Sequence, residues 1–571
     1  MTNPLKNRAV MLAVLPLLLM SCDQQKQAQA PFSVIGASIP EMQAAMKAGR
    51  TTSRDIVLQY LARIAIYNDK LHGAVTVDPA VLATADALDR ERREGKVRGP
   101  LHGIPVAVKD NILTTSMPSS GGALAFKDYI PPYEATLVTN LREAGAIVMA
   151  KSTLTELANW MAAPPTPMEG GYNAVRGYSY NPYDPRAKDN GEPYLSTGGS
   201  SSGIGVSAEF WAANVGTDTG GSVVNPANAS MQVGLRPTTG RISRWGIIPI
   251  TLDQDSAGPM GKTVMDVAIM MGALEGATPD SHDDATKTCA PPPGRDYTQY
   301  LKADALKGAR IGIPRTSYYE PSQLPGTPAP SRGLRPDEAE AMKGAIEVLK
   351  AQGATVVDPA DLPSVTSADP QNNILVRQIC GAPAFISGEE GVCSTVLRYG
   401  MKRDFNAFLK TLGAGAPVKS LTELRTWNSE HAAPTNGSMG AIRYGQRQLD
   451  LADAIDLEKD KARYEEDRAR DLRLSRDEGM DAPIKANNLD VLMFPGSGAT
   501  DIGTKAGYPA IAVPYAMVGN PNGPASDPAD AKTRPFGVSF LGLACTEPRL
   551  FAIAYAFEQV TRKRIPPKST P

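Results

Sequence analysis

The chain has 571 residues, of which 59 are Lys or Arg and 60 are Asp or Glu, for a net charge of −1. That length is enough for a large buried core, and the balanced charge excludes the basic footprint of a nucleic-acid binder. Its four histidines, His72, His102, His282 and His431, include no His-x-x-x-His pair, so neither a zinc hydrolase nor another metal site has support.

Taken in order, residues 1 to 22 read as a targeting segment. Lys6 and Arg8 form a basic start and Ala9 to Met20 an apolar run too short to span a bilayer. Leu19-Met20-Ser21-Cys22 resembles a bacterial lipobox. Lipidation of Cys22 is expected, anchoring the chain in a bacterial cell envelope, at the periplasmic face of the inner membrane or in the outer membrane. A plain secretory signal and a free buried cysteine are the alternatives. Residues 23–34, opening DQQKQAQA, form a polar tether.

Pro40 opens a periodic apolar stretch, and Thr52-Ser53 with Asp55 caps the next helix. Val81 to Arg93 is a further helix. Strand-like runs follow at Ile104 to Val108 and Ile147 to Ala150, separated by a helix around Ala135 to Ala144. This alternation predicts an α/β fold with a large, mostly buried sheet. Pro164 to Leu195 is a loop with five tyrosines, which either frame a site entrance or pack the loop itself. Ala309 to Pro314 reads as a strand, Glu338 to Gln352 as an amphipathic helix and Thr355 to Val357 as another strand. Leu449 to Arg476 is a charged helix expected to show a solvated face. Leu489 to Pro495 and Ala510 to Pro514 are short buried strands, and Arg549 to Arg564 closes the chain as a helix. Cys380–Cys393 is a candidate local bridge, whereas Cys545, in an apolar run, is expected to be a buried free thiol.

The chemistry concentrates in Ser196 to Pro226, STGGSSSGIGVSAEFWAANVGTDTGGSVVNP. Gly198-Gly199-Ser200 and Gly220-Gly221-Ser222 each allow a sharp turn that presents a hydroxyl beside free backbone N–H groups. A serine nucleophile needs a base, and no serine here begins a Ser-x-x-Lys motif. Lys109, at the end of the apolar run in LHGIPVAVKDNI, is the candidate, because burial disfavours its charged form. An ordinary strand-end lysine paired with Asp110 is the alternative.

Lys109 in GIPVAVKDNI, GGSSSG at Gly198 to Gly203 and GTDTGGS at Gly216 to Ser222 resemble the motifs of the amidase signature family. The resemblance extends through LREAGAIVMAKSTLTELA, GLRPTTGRISRWGIIPITLDQDSAGPM and the C-terminal GYPAIAVPY, over roughly two thirds of the chain. It implies an amidase-signature fold, with a large mixed β-sheet core covered by helices on both sides and a single amidase domain over residues 35–571. Residues 370–440, which match least, are read as a variable substrate-side covering region. The resemblance further implies a Ser–cis-Ser–Lys triad: Ser222 as nucleophile, Ser200 as bridging serine and Lys109 as base. The spacing between the two serines departs from the family pattern by about two residues, which makes Ser201 the other candidate bridge. Val223-Val224-Asn225 follows the nucleophile where the glutaminyl-tRNA-forming amidotransferase subunits have an arginine, so no amidotransferase partner subunits are expected.

The expected reaction is hydrolysis of the C–N bond of a small or medium linear amide to carboxylate and amine through an acyl-enzyme on Ser222, with no cofactor. Backbone N–H groups of Thr219, Gly220 and Gly221 are expected to hold the oxyanion, with Ser201 and Asp218 in support. Two other readings remain. Gly199-Ser200-Ser201-Ser202-Gly203 also satisfies Gly-x-Ser-x-Gly, which would make Ser201 the nucleophile of an α/β-hydrolase-type esterase served by His282 or His431. The last is a catalytically inactive binding lipoprotein.

Overall fold

A computed structural model describes the chain except for residues 2–30, 164–165, 200–202, 332, 378, 381–391, 435–438 and 524–531. The Cys22 segment therefore lies outside the described residues. Among the described residues no helix is long and apolar enough to cross a membrane.

Eleven strands form one mixed sheet. In chain order they are β1 Ala74–Val77, β2 Pro105–Lys109, β3 Ile147–Ser152, β4 Ala213–Asp218, β5 Val233–Arg236, β6 Ser256–Gly261, β7 Arg310–Gly312, β8 Thr355–Val357, β9 Val491–Pro495, β10 Ala510–Gly519 and β11 Thr533–Leu541. Across the sheet they run β1-β3-β2-β4-β6-β5-β10-β11-β9-β7-β8. β2 lies parallel to both β3 and β4, while β4 pairs antiparallel with β6.

The predicted α/β alternation is what the structure contains, and both faces of the sheet are covered. Successive side chains of β9 divide between two separate apolar clusters, Val491 and Met493 in one, Leu492 and Phe494 in the other. A strand buried on both faces reads as a continuous apolar run rather than an alternating one, which is why VLMFP and PVAVK look alike in the sequence. The N-terminal helices stand where their caps place them. Ile39–Lys47 begins on a Ser38–Glu41 capping box and Ser53–Leu71 on a Thr52–Asp55 one.

Two expectations are corrected. Leu449 to Arg476 is two helices, Arg447–Asp453 and Lys461–Ser475. The second does not show only a solvated face, since its Asp467 and Asp471 are buried and clamp Arg377 at 2.7 Å each. Cys545 is not a buried free thiol. It lies exposed in the turn between β11 and the helix Glu547–Thr561, where its sulfur is bonded to that of Cys289, 256 residues earlier. The Cys380–Cys393 bridge is formed as well.

Candidate active site

The parallel register of β2 and β4 sets Val108 beside Val215, so the end of β2 delivers Lys109 to the end of β4. Lys109 is fully buried and donates from Nζ to Thr217 Oγ1 at 2.9 Å and to Thr217 O at 3.3 Å. Burial pulls its pKa down to about 7, and the negative charges of Asp218 and Asp255 only partly restore it. The alternative pairing with Asp110 is not what the structure contains. Asp110 faces Lys151 at 3.8 Å and accepts from the Ser120 hydroxyl.

β4 leads directly into the second Gly-Gly-Ser turn. Asp218 holds that turn: Oδ1 accepts from Gly221 N–H at 2.8 Å, and Oδ2 accepts from Val223 N–H at 2.8 Å. Arg236 in turn pairs with Asp218 at 3.0 Å, both side chains being buried. The Gly221 amide, expected in the oxyanion hole, is therefore hydrogen-bonded within the loop. The Gly220 position is open, with no atom within 4 Å of where a Cβ would stand.

The two turns meet. Gly199 adopts φ +51°, and a Cβ there would stand 3.2 Å from Ser222 Cα and 3.4 Å from Ser222 Oγ. A Cβ there would press on the Ser222 backbone at a φ that side chains rarely adopt, so the close approach favours glycine. Thr155 Oγ1 bonds Gly199 O at 3.0 Å and fastens the first turn from the other side. Ser200 and Ser201 lie outside the described residues.

Several residues of the site have no role assigned to them by the sequence. Asn111 Nδ2 donates to Thr217 Oγ1 at 3.1 Å, so this hydroxyl receives both the amide and Lys109. Thr219 is clamped twice: its hydroxyl donates to Asp255, and its carbonyl accepts from Gln254 Nε2 at 3.1 Å. Burial raises the pKa of Asp255 to about 7. No local pattern marks Asp255 or Gln254, because only the antiparallel register of Asp218 with Ser256 brings them to Thr219. Leu157, Ala158 and Asn159 take φ of 46°, 57° and 71° in succession. Such a run of non-glycine residues in the left-handed region is strained, and Ala158 lines the small cavity beside Thr217, Thr219 and Asp255.

His282 and His431 are engaged elsewhere. His282 Nδ1 lies 3.0 Å from Asp280 with its ring on Trp245, and His431 stacks on Trp427. Residues 195–199, ahead of Ser201, form no strand, so the strand-to-helix setting of an α/β-hydrolase nucleophile is missing. Among the described residues no group of three or more His, Cys, Asp or Glu side chains is placed to hold a metal ion.

A family model described as Amidase matches residues 55–383. The chain is 31% identical over 565 residues to a probable amidase of Arabidopsis thaliana, covering 98% of this chain and 97% of that protein. It is 30% identical over 537 residues to a glutamyl-tRNA(Gln) amidotransferase subunit of Thermosynechococcus vestitus, covering 92% and 98%. The fold is similar to that of the peptide amidase of Stenotrophomonas maltophilia, with a TM-score of 0.78 and 33% identity over 95% of this chain and 100% of that one.

Proposed function

The chain belongs to the amidase family, and from that premise we propose that it hydrolyses small or medium linear amides, peptide-like or not, through an acyl-enzyme on Ser222. One observation carries the proposal. A fully buried lysine with a pKa of about 7 sits on the Thr217 hydroxyl, near the end of the strand that leads into the turn whose Ser222 is packed against Gly199.

Lys109 acts as the neutral base and draws a proton from Ser200 as Ser200 takes that of Ser222. Ser222 Oγ attacks the amide carbonyl carbon, and the carbonyl oxygen becomes an oxyanion held by the N–H groups of Thr219 and Gly220. The clamps on Thr219 and the carboxylate of Asp218 fix that turn before substrate arrives, which is what makes such donors effective. Collapse breaks the C–N bond, and the proton returns through Ser200 to the leaving nitrogen. Water then attacks the ester carbonyl carbon as the relay takes its proton. Collapse breaks the Ser222 Oγ–C bond, the relay returns that proton to Ser222 Oγ, and the acid leaves and ionises to the carboxylate.

The bridging role separates Ser200 from Ser201. Ser200→Ala is expected to slow single-turnover acylation by an activated anilide by ~10²–10⁴-fold, and Ser201→Ala by less. A larger loss for Ser201→Ala would move the relay to Ser201, and a loss at neither would remove it.

A second reading, the acyl-transfer component of an amidotransferase, is favoured by the likeness to the T. vestitus protein. The absence of arginine in Val223-Val224-Asn225 opposes it. Amide hydrolysis by the chain alone, with no partner added, decides between the two. Lipid anchoring at Cys22 completes the proposal, placing the enzyme at a bacterial membrane.

A further inference from the structure

Other buried arginines in this protein have acceptors: Arg63 donates to the backbone oxygens of Ala208 and Thr570, and several carry carboxylates. Arg241 pairs with Glu275 and Glu547, Arg244 with Asp283, and Arg377 with Asp467 and Asp471. Arg398 differs. It is 6% exposed on the helix Val396–Thr411, and among the described residues neither its Nε nor its Nη2 has an acceptor. The charge that bears on it is another cation, Arg447. That repulsion adds to burial in pulling its pKa down to about 10. Two guanidinium nitrogens kept from water with no acceptor among the described residues are costly, which leaves an acceptor to be supplied.

Its position says by what. Arg398 shares a helix face with Met401 and Phe405, three and seven residues on. Those two pack in the same apolar cluster as Trp160, Met161, Ile248 and Ile250. Ile248 and Ile250 line the cavity beside Thr217 and Thr219. Two more buried polar atoms in or beside this apolar cluster are unpartnered among the described residues, Trp160 Nε1 and Gln448 Oε1. Gln448 N–H donates to Met161 O at 3.2 Å, which ties that residue to the Trp160 turn.

We propose that Arg398 anchors a carboxylate carried by the amide substrate at the end remote from the scissile bond, with the Trp160 indole N–H as a second donor from the apolar cluster. The forked donors of arginine match the two oxygens of a carboxylate, whereas a neutral amide tail would leave the guanidinium unpaired. The inference rests on amide hydrolysis at Ser222 and narrows its substrates to amides bearing an anionic tail.

The test compares two primary amides of equal length, one ending in a carboxylate (adipic acid monoamide) and one in a hydroxyl (6-hydroxyhexanamide). The full chain is expected to favour the carboxylate in kcat/KM by roughly 10- to 100-fold, the range of a charged hydrogen bond. Arg398→Met should bring the ratio near one, and Arg398→Lys should leave it in between. Equal or faster turnover of the hydroxyl amide by the unmodified chain would overturn the inference without needing any variant. So would an unchanged ratio in Arg398→Met. If neither amide is turned over, the hydrolysis reading is what suffers, and binding then decides: adipate should raise the melting temperature of the unmodified chain but not that of Arg398→Met. Equal shifts in both, or none in either, would overturn the inference.

Discussion

Burial gives Lys109 its usefulness and also its cost. It works as the neutral amine, so kcat/KM should rise with pH through an acid limb near 7. A limb near the ordinary carboxylate range would assign the base to another group. Stability should move as well. A lysine whose folded pKa lies below its unfolded value holds fewer protons when folded, so its penalty is full below about pH 7 and shrinks as pH rises toward 10.5. Lys109→Met should therefore lose amide turnover yet melt several degrees higher, with a larger gain at pH 6 than at pH 9. A destabilised variant, or a gain that grows with pH, would contradict this. The position of Lys109 is legible in the sequence, because an interior strand of a parallel segment is apolar on both faces and must end somewhere. Its partner is not, since the choice between Asp110 and the Thr217 hydroxyl depends on strand register. Asp255 shows the limit of reading residues singly, since nothing near it in sequence marks its service to Thr219.

Among the elements, the helix Val396–Thr411 packs against the segment that supports the site. Gly400 stands against Thr251, and a Cβ there would come 2.4 Å from Thr251 Cβ. Asp404 accepts from Leu252 N–H at 2.7 Å, so the helix sets the position of the Ile250–Asp255 segment. Gly400→Ala should overpack this contact and cost roughly 1–3 kcal/mol. Because the same segment clamps Thr219, kcat should fall with it. Thermal melting and kinetics on one preparation check both, and a variant of normal stability and activity would show that the helix does not position the segment. Helices with local signals are legible to within a few residues, as at Val81–Arg93, where the boundaries agree. The charged stretch from Leu449 misleads because composition cannot show the break at residues 454–460 or that Asp467 and Asp471 turn inward to Arg377. The turn Leu157–Asn159 has no signal, since it enters the left-handed region without a glycine.

At the scale of the molecule, one sheet joins segments from Ala74 to Leu541, so the site is assembled from parts far apart in the chain. Motif order alone is enough to place those parts in one site, but the long-range disulfide does not follow from cysteine positions as the local Cys380–Cys393 bridge does. Cys289 and Cys545 become neighbours only when the helix after β11 docks. The leading segment carries its own prediction: Cys22→Ala should release the protein from membranes or block its processing, and the same lipid-modified membrane fraction from the variant would remove the anchor. The central claim, that Ser222 is the acylated nucleophile, is tested most directly by trapping it. A fluorophosphonate probe with peptide mapping should place one label on Ser222, with labelling lost in Ser222→Ala and greatly slowed in Lys109→Met. A label on Ser200 or Ser201, or full labelling that survives Ser222→Ala, would contradict the account.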